Sequence, residues 1–131
     1  MLRTALASLS IACVLVSAPA AAQGPDVRGT VVEVKMIDVS ATQFAFSPAK
    51  ITVKRGDTVR FTQVRVNAHN VEFRGFPAGV DLGDVRVGPY LLAADQVYEV
   101  KIDARFAPGT YDYVCTPHAT MGMTGQIIVL P

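Results

Sequence analysis

Nine residues close to the C-terminal end, Cys115-Thr116-Pro117-His118-Ala119-Thr120-Met121-Gly122-Met123, gather a thiolate, an imidazole and two thioethers. These donors are soft or borderline and suit copper better than magnesium, calcium or manganese. The sequence holds one other histidine, His69, so any second imidazole must come from there. Two imidazoles and a thiolate in a trigonal set, with a weak, long axial thioether, are the donors of a blue-copper electron-transfer centre. His69, Cys115, His118 and one of the two methionines supply that set in essentially one way.

Each residue taken singly has a plainer reading. A lone cysteine is usually a buried inert thiol, and methionines usually fill cores. A histidine on its own is ordinarily a surface group or a satisfied strand residue. The joint reading is stronger, because the ligands would use the mature chain's one cysteine and both of its histidines. Zinc is the main rival metal. Structural zinc sites take four Cys or His ligands in paired spacings, and without Cys13, which falls in the expected leader, the chain offers three. A Cys–His catalytic pair is weaker still, lacking an evident orienting group and oxyanion donors.

The elements around these residues must export and hold them. Arg3 is the one charge before an apolar and small-residue run from Thr4 to Ala22. Ala18-Pro19-Ala20 and Ala20-Ala21-Ala22 offer small-x-small cleavage patterns, so residues 1–22 read as a signal peptide cut before Gln23. Its apolar stretch, Ala5 to Val16, is shorter than the ~20 residues of a membrane-spanning helix. A lipoprotein cut before Cys13 is a weaker alternative, because Ser10 stands where a larger aliphatic is usual. Cleavage removes Cys13 and Arg3, leaving Cys115 as the sole cysteine and 11 basic residues against 11 acidic ones. An internal disulfide is then impossible, and a liganded thiol is the best account of the odd cysteine. Balanced charge without lysine or arginine clusters argues against nucleic acid and membrane-surface partners. The remaining chain of about 109 residues buries roughly two-thirds of its unfolded surface, enough for one stable core without disulfides.

Residues 23–29 read as a flexible lead, and 30–131 as one domain. Val31 to Val39 is rich in β-branched residues. Thr42 to Phe46, Lys50 to Lys54, Thr58 to Thr62 and Gln96 to Ile102 alternate with the period of half-buried strands. Turn residues at Ser47-Pro48, Arg55-Gly56-Asp57 and Ala107-Pro108-Gly109 separate short strands. That spacing predicts an all-β sandwich or barrel without long helices. Pro89 to Ala94 is expected to form one short helical turn within the irregular stretch 74–95. Period two places Tyr111, Tyr113 and Cys115 on one inward face, so the cysteine ends a strand and the loop follows it. Pro117 stiffens that loop, and Gly122 permits a bend between the methionines. Gly125 to Leu130 is the closing strand.

Phe44-Ala45-Phe46-Ser47-Pro48 with Ile51-Thr52-Val53, Gly56-Asp57-Thr58-Val59-Arg60-Phe61, His69-Asn70-Val71 and Cys115-Thr116-Pro117-His118 together resemble a small cupredoxin of the plastocyanin/azurin family. The likeness runs from about residue 40 to 130. Pro77-Ala78-Gly79-Val80-Asp81 resembles plastocyanin, whereas the Cys115–Met123 loop is similar to that of pseudoazurin. The closing strand is not followed by the C-terminal helices of pseudoazurins, so the sequence is best described as plastocyanin-like. The resemblance implies a Greek-key β-sandwich of about eight strands with one type 1 copper at one end. It implies His69, Cys115 and His118 as equatorial ligands and Met123, eight residues after the cysteine, as the axial one. The shorter amicyanin spacing would instead select Met121. It further implies that the Asn70 backbone N–H supports the cysteine sulfur. Electrons would pass at an apolar patch of Pro117, His118, Ala119 and Met121. Val114 stands where plant plastocyanins carry a tyrosine, and their acidic runs are missing, which leaves docking on the His118 face.

The resulting expectation is a periplasmic, monomeric carrier of single electrons, not an enzyme. It would serve transient redox partners such as a cytochrome or an oxidoreductase, with no nucleic acid and no stable membrane insertion. Copper sequestration or delivery is the alternative from another class.

Overall fold

The computed structural model of the protein describes residues 29–131. The expected signal peptide and almost all of the expected 23–29 lead lie outside the described residues. Eight strands follow: β1 (Val31–Asp38), β2 (Phe44–Ser47), β3 (Lys50–Val53), β4 (Thr58–Gln63), β5 (Glu72–Gly75), β6 (Val97–Lys101), β7 (Gly109–Val114) and β8 (Thr124–Val129). They form two four-stranded sheets, ordered β2-β1-β4-β6 and β3-β8-β7-β5. Every connection from β2 to β7 crosses between the sheets, the alternation of a Greek-key sandwich. Helix among the described residues is limited to 3-10 turns at Gly83–Arg86 and Thr116–Met121. None is long and apolar enough to cross a membrane.

Period-two patterning does what it should. In β4, Val59, Phe61 and Gln63 point inward while Thr58, Arg60 and Thr62 lie nearer solvent. Val34 and Met36 of β1 meet the same core, as do Tyr111 and Tyr113 of β7. Phe46, Phe61 and Phe73 set their rings edge-on around Tyr113, with centroids 4.8 to 5.9 Å from it. Such edge-to-face pairs add to simple area burial. Gly125 faces Tyr113 across the β7–β8 ladder. A Cβ there would lie 2.3 Å from the tyrosine ring, so the ring occupies the space a larger residue would need.

Two parallel pairings hold the ends in register: β1 with β4, and β3 with β8. The antiparallel β7–β8 pair runs from Gly109↔Val129 to Val114↔Thr124, which places residues 115–123 as the loop joining those strands at one end. Asp38, at the end of β1, and Gln63, at the end of β4, lie at that same end, since β1 and β4 are parallel and pair through Met36↔Gln63.

The helical turn expected at Pro89–Ala94 is not there. Leu91 N–H donates to the His69 carbonyl at 2.8 Å, and His69 N–H donates to Leu91 at 3.2 Å, which draws the segment out as an isolated bridge. Leu91 is buried by that pairing. The 3-10 turn forms earlier, at Gly83–Arg86, where the Asp81 carboxylate accepts the Gly83 N–H at 2.9 Å.

Candidate metal centre

Cys115 follows directly on β7 and continues its inward face, so its sulfur is fully buried. The chain then turns through Thr116–Met121, with Pro117 in the first turn and Gly122 ending it at φ 83°, the left-handed region that favours glycine. His118 N–H donates to the Cys115 carbonyl at 3.0 Å, and Cys115 N–H donates to the Met123 carbonyl at 3.1 Å. That folding brings the His118 ring back over the cysteine. His69 arrives from the other side, on the approach to β5 and one bridge short of a regular strand. Gln63, buried at the end of β4, shapes that approach: its amide donates to the Arg65 carbonyl at 2.8 Å and to that of Asn67.

The three donor atoms converge. Cys115 Sγ lies 3.5 Å from His69 Nδ1 and 3.4 Å from His118 Nδ1, and the two ring nitrogens are 3.1 Å apart. In the plane of three atoms so spaced, the equidistant point lies about 2 Å from each, close to a metal–nitrogen bond and a few tenths of an ångström short of a metal–thiolate one. His69 is wholly buried and His118 partly so, which leaves one imidazole edge toward solvent. Of the two candidate axial residues, Met123 is fully buried and Met121 is 53% exposed. Pro117 is exposed and Ala119 half-buried beside that edge.

Burial pushes the Cys115 thiol up, and the backbone N–H groups of Asn70 and His118 oppose it by hydrogen bonding to the sulfur. This is the contact the family resemblance implies for Asn70. His118 is held below the ordinary imidazole range, first by burial and then by the neighbouring His69, with Asp38 opposing. A neutral imidazole is the form that binds a metal. Asn70 also ties the loop: its carbonyl oxygen accepts the Thr116 N–H at 2.8 Å and its amide donates to Thr116 Oγ1 at 2.9 Å. The Thr116 hydroxyl donates in turn to Glu72 at 2.9 Å. Arg74, first, and Thr116 keep the Glu72 carboxyl below the usual carboxylate range.

Two residues join the site that sequence reasoning gave no role. Asp38 Oδ1 sits 2.7 Å from His69 Nε2. The Phe44 ring stacks on the His118 imidazole, with centroids 3.7 Å apart and planes 18° from parallel. Phe44 belonged to the recognisable Phe-Ala-Phe motif, but alternation alone shows only that it shares a face with Phe46. Asp38 carried no signal beyond its place at the end of a strand.

Comparison with known proteins agrees with the donor set. The model of the copper binding proteins of the plastocyanin/azurin family matches residues 32–130. Chloroplastic plastocyanin of Oryza sativa subsp. indica is 31% identical over 125 residues, covering 94% of this chain and 79% of that one. Amicyanin-alpha of Methylorubrum extorquens is 39% identical over 92 residues, 70% of each chain. Among solved structures, the pseudoazurin of Methylobacterium extorquens AM1 superposes with a TM-score of 0.55 at 31% identity, covering 76% of this chain and 75% of its own. A reduced amicyanin variant gives 0.58, also at 31% identity, covering 79% and 86%. On that match the chain belongs to the plastocyanin/azurin family of copper-binding proteins, and the cofactor its buried donors suit is a single type 1 copper ion.

Proposed function

We propose that this protein is an exported carrier of single electrons, with His69, Cys115, His118 and Met123 as its copper ligands. The convergence of one buried thiol and two ring nitrogens, all within 4.8 Å of one another, carries the reading. When bound, copper supplies reversible Cu(II)/Cu(I) chemistry. The chain's own residues supply the rest. Loop and strands hold the donors in place, so little rearrangement is needed between oxidation states. The Asn70 and His118 N–H groups stabilise the sulfur's negative charge, and the buried pocket excludes water. Full burial of Met123 beside the cysteine supports it as the axial thioether over exposed Met121.

His118 presents the half-open edge through which an electron enters and leaves. Pro117, Ala119 and Met121 around it support a small apolar docking face, suited to transient redox partners such as a cytochrome or an oxidoreductase. The four ligands use both histidines and the one mature cysteine, which leaves no such donors for a second centre and favours a carrier over an enzyme. The apolar and small-residue run at 1–22 supports export to the periplasm, where the protein acts as a monomer of one domain, 30–131.

The test is an optical and paramagnetic spectrum of the mature chain loaded with Cu(II), beside Cys115→Ser. Intense thiolate-to-copper absorption that bleaches reversibly on reduction, and is abolished in the variant, is expected. A colourless protein that readily loses copper would overturn the carrier and point to copper sequestration or delivery.

A further inference from the structure

Asp38 and His69 are 31 positions apart, yet the carboxylate oxygen meets the imidazole Nε2 at 2.7 Å. The other carboxylate oxygen accepts the Asn67 amide at 2.9 Å, so both oxygens are aimed and the side chain is only 9% exposed. A carboxylate can only accept, so Nε2 must carry the proton in this bond. Nδ1 is then the lone-pair nitrogen, and it is the one that faces Cys115 and His118. We propose that Asp38 is a positioning residue that fixes the tautomer and direction of His69 and lowers the site's reduction potential. The inference rests on the reading of His69 as a copper ligand.

The physical argument has two parts. A ring nitrogen hydrogen-bonded to a carboxylate makes the opposite nitrogen a more basic ligand. A fixed negative charge one imidazole away, in a poorly hydrated setting, also favours the more highly charged Cu(II) over Cu(I). Both effects act in the same direction. The bond further ties the end of β1, in one sheet, to the segment that leads into β5, in the other.

Two measurements test this. In the metal-free protein, nitrogen-15 spectra of the histidine rings should show His69 as the Nε2–H tautomer; a Nδ1–H tautomer overturns the proposal. In the copper-loaded protein, Asp38→Asn keeps the shape and removes the charge. It should weaken Cu(II) relative to Cu(I) about tenfold, a rise of about 59 mV for a one-electron couple. Asp38→Ala should move the potential at least as far. Asp103→Asn removes the same charge at the opposite end of the sandwich and should leave the potential in place. No shift in Asp38→Asn, or an equal shift in Asp103→Asn, overturns the proposal. Should Asp38→Ala not fold, Asp38→Asn still decides the matter. Absence of a thiolate-to-copper band in the unsubstituted protein would instead sink the ligand assignment, and the tautomer measurement would still judge Asp38.

Discussion

The two ends of the sandwich each rest on an aspartate, and the two aspartates do different work. At the end away from the metal loop, Asp57 is buried and accepts two main-chain donors, Thr30 N–H at 2.8 Å and Lys54 N–H at 2.9 Å. Its own carbonyl accepts the Ile102 N–H at 2.8 Å. At the metal end, Asp38 accepts from two side chains, an imidazole and an amide. One end satisfies backbone with carboxylate and is finished. The other turns lone pairs of sulfur and nitrogen toward one another, an arrangement that needs a cation to be comfortable. One end of the fold satisfies its own polar groups, and the other gathers donors that suit a metal.

The largest effect should come from breaking the closed end. Asp57→Ala removes the charged acceptor of two part-buried N–H groups, at about 1.5–3 kcal/mol each. A clear fall in the urea midpoint is expected, with the visible spectrum of the folded, copper-loaded fraction unchanged. A shifted spectrum would show that the two ends are coupled. Phe44→Ala should do the reverse. The stack on His118 is worth about 0.5–1.5 kcal/mol, and its loss uncovers one face of a ligand. Copper should pass severalfold faster to an external chelator, with a smaller fall in the stability of the metal-free protein. Asp103→Asn is the mildest. Arg105 holds the Asp103 carboxyl below its ordinary range. Its contribution is therefore present above the unfolded-chain carboxylate value and fades as pH falls through the lower folded value. The variant should lose a few degrees of Tm at most near neutrality, and its stability should match the parent's in strong acid.

The closed end and the open end were not equally readable. Cys115, His118 and His69 stood out because each is chemically rare in this sequence, and rare donors at ligand spacing carry information that composition cannot dilute. The strands were legible because inward positions such as Val59 and Phe61 alternate with wet ones. Asp38 was not, because its meaning depends on a contact across 31 positions that only the parallel β1–β4 pairing creates. Phe44 likewise looked like one more strand aromatic until the loop folded His118 beneath it. The misplaced turn at Pro89–Ala94 has the same origin. Local composition favoured helix, whereas Leu91 found a partner in His69, whose position no local pattern reveals.

The place of β8 also has a consequence for assembly in time. It is the last strand described, yet it lies inside its sheet, between β3 and β7. Until it arrives, β3 lacks its parallel neighbour and the second sheet cannot close. Such distant pairings form slowly, because a long loop must be ordered before the contact rewards it. The cysteine loop sits immediately before β8 and is pinned only when β7 and β8 zip together. A chain emerging in order from N- to C-terminus thus has no thiolate cage until β8 is in place. Metal loading then follows the arrival of β8, and a chain stalled before that strand presents no finished trap for copper.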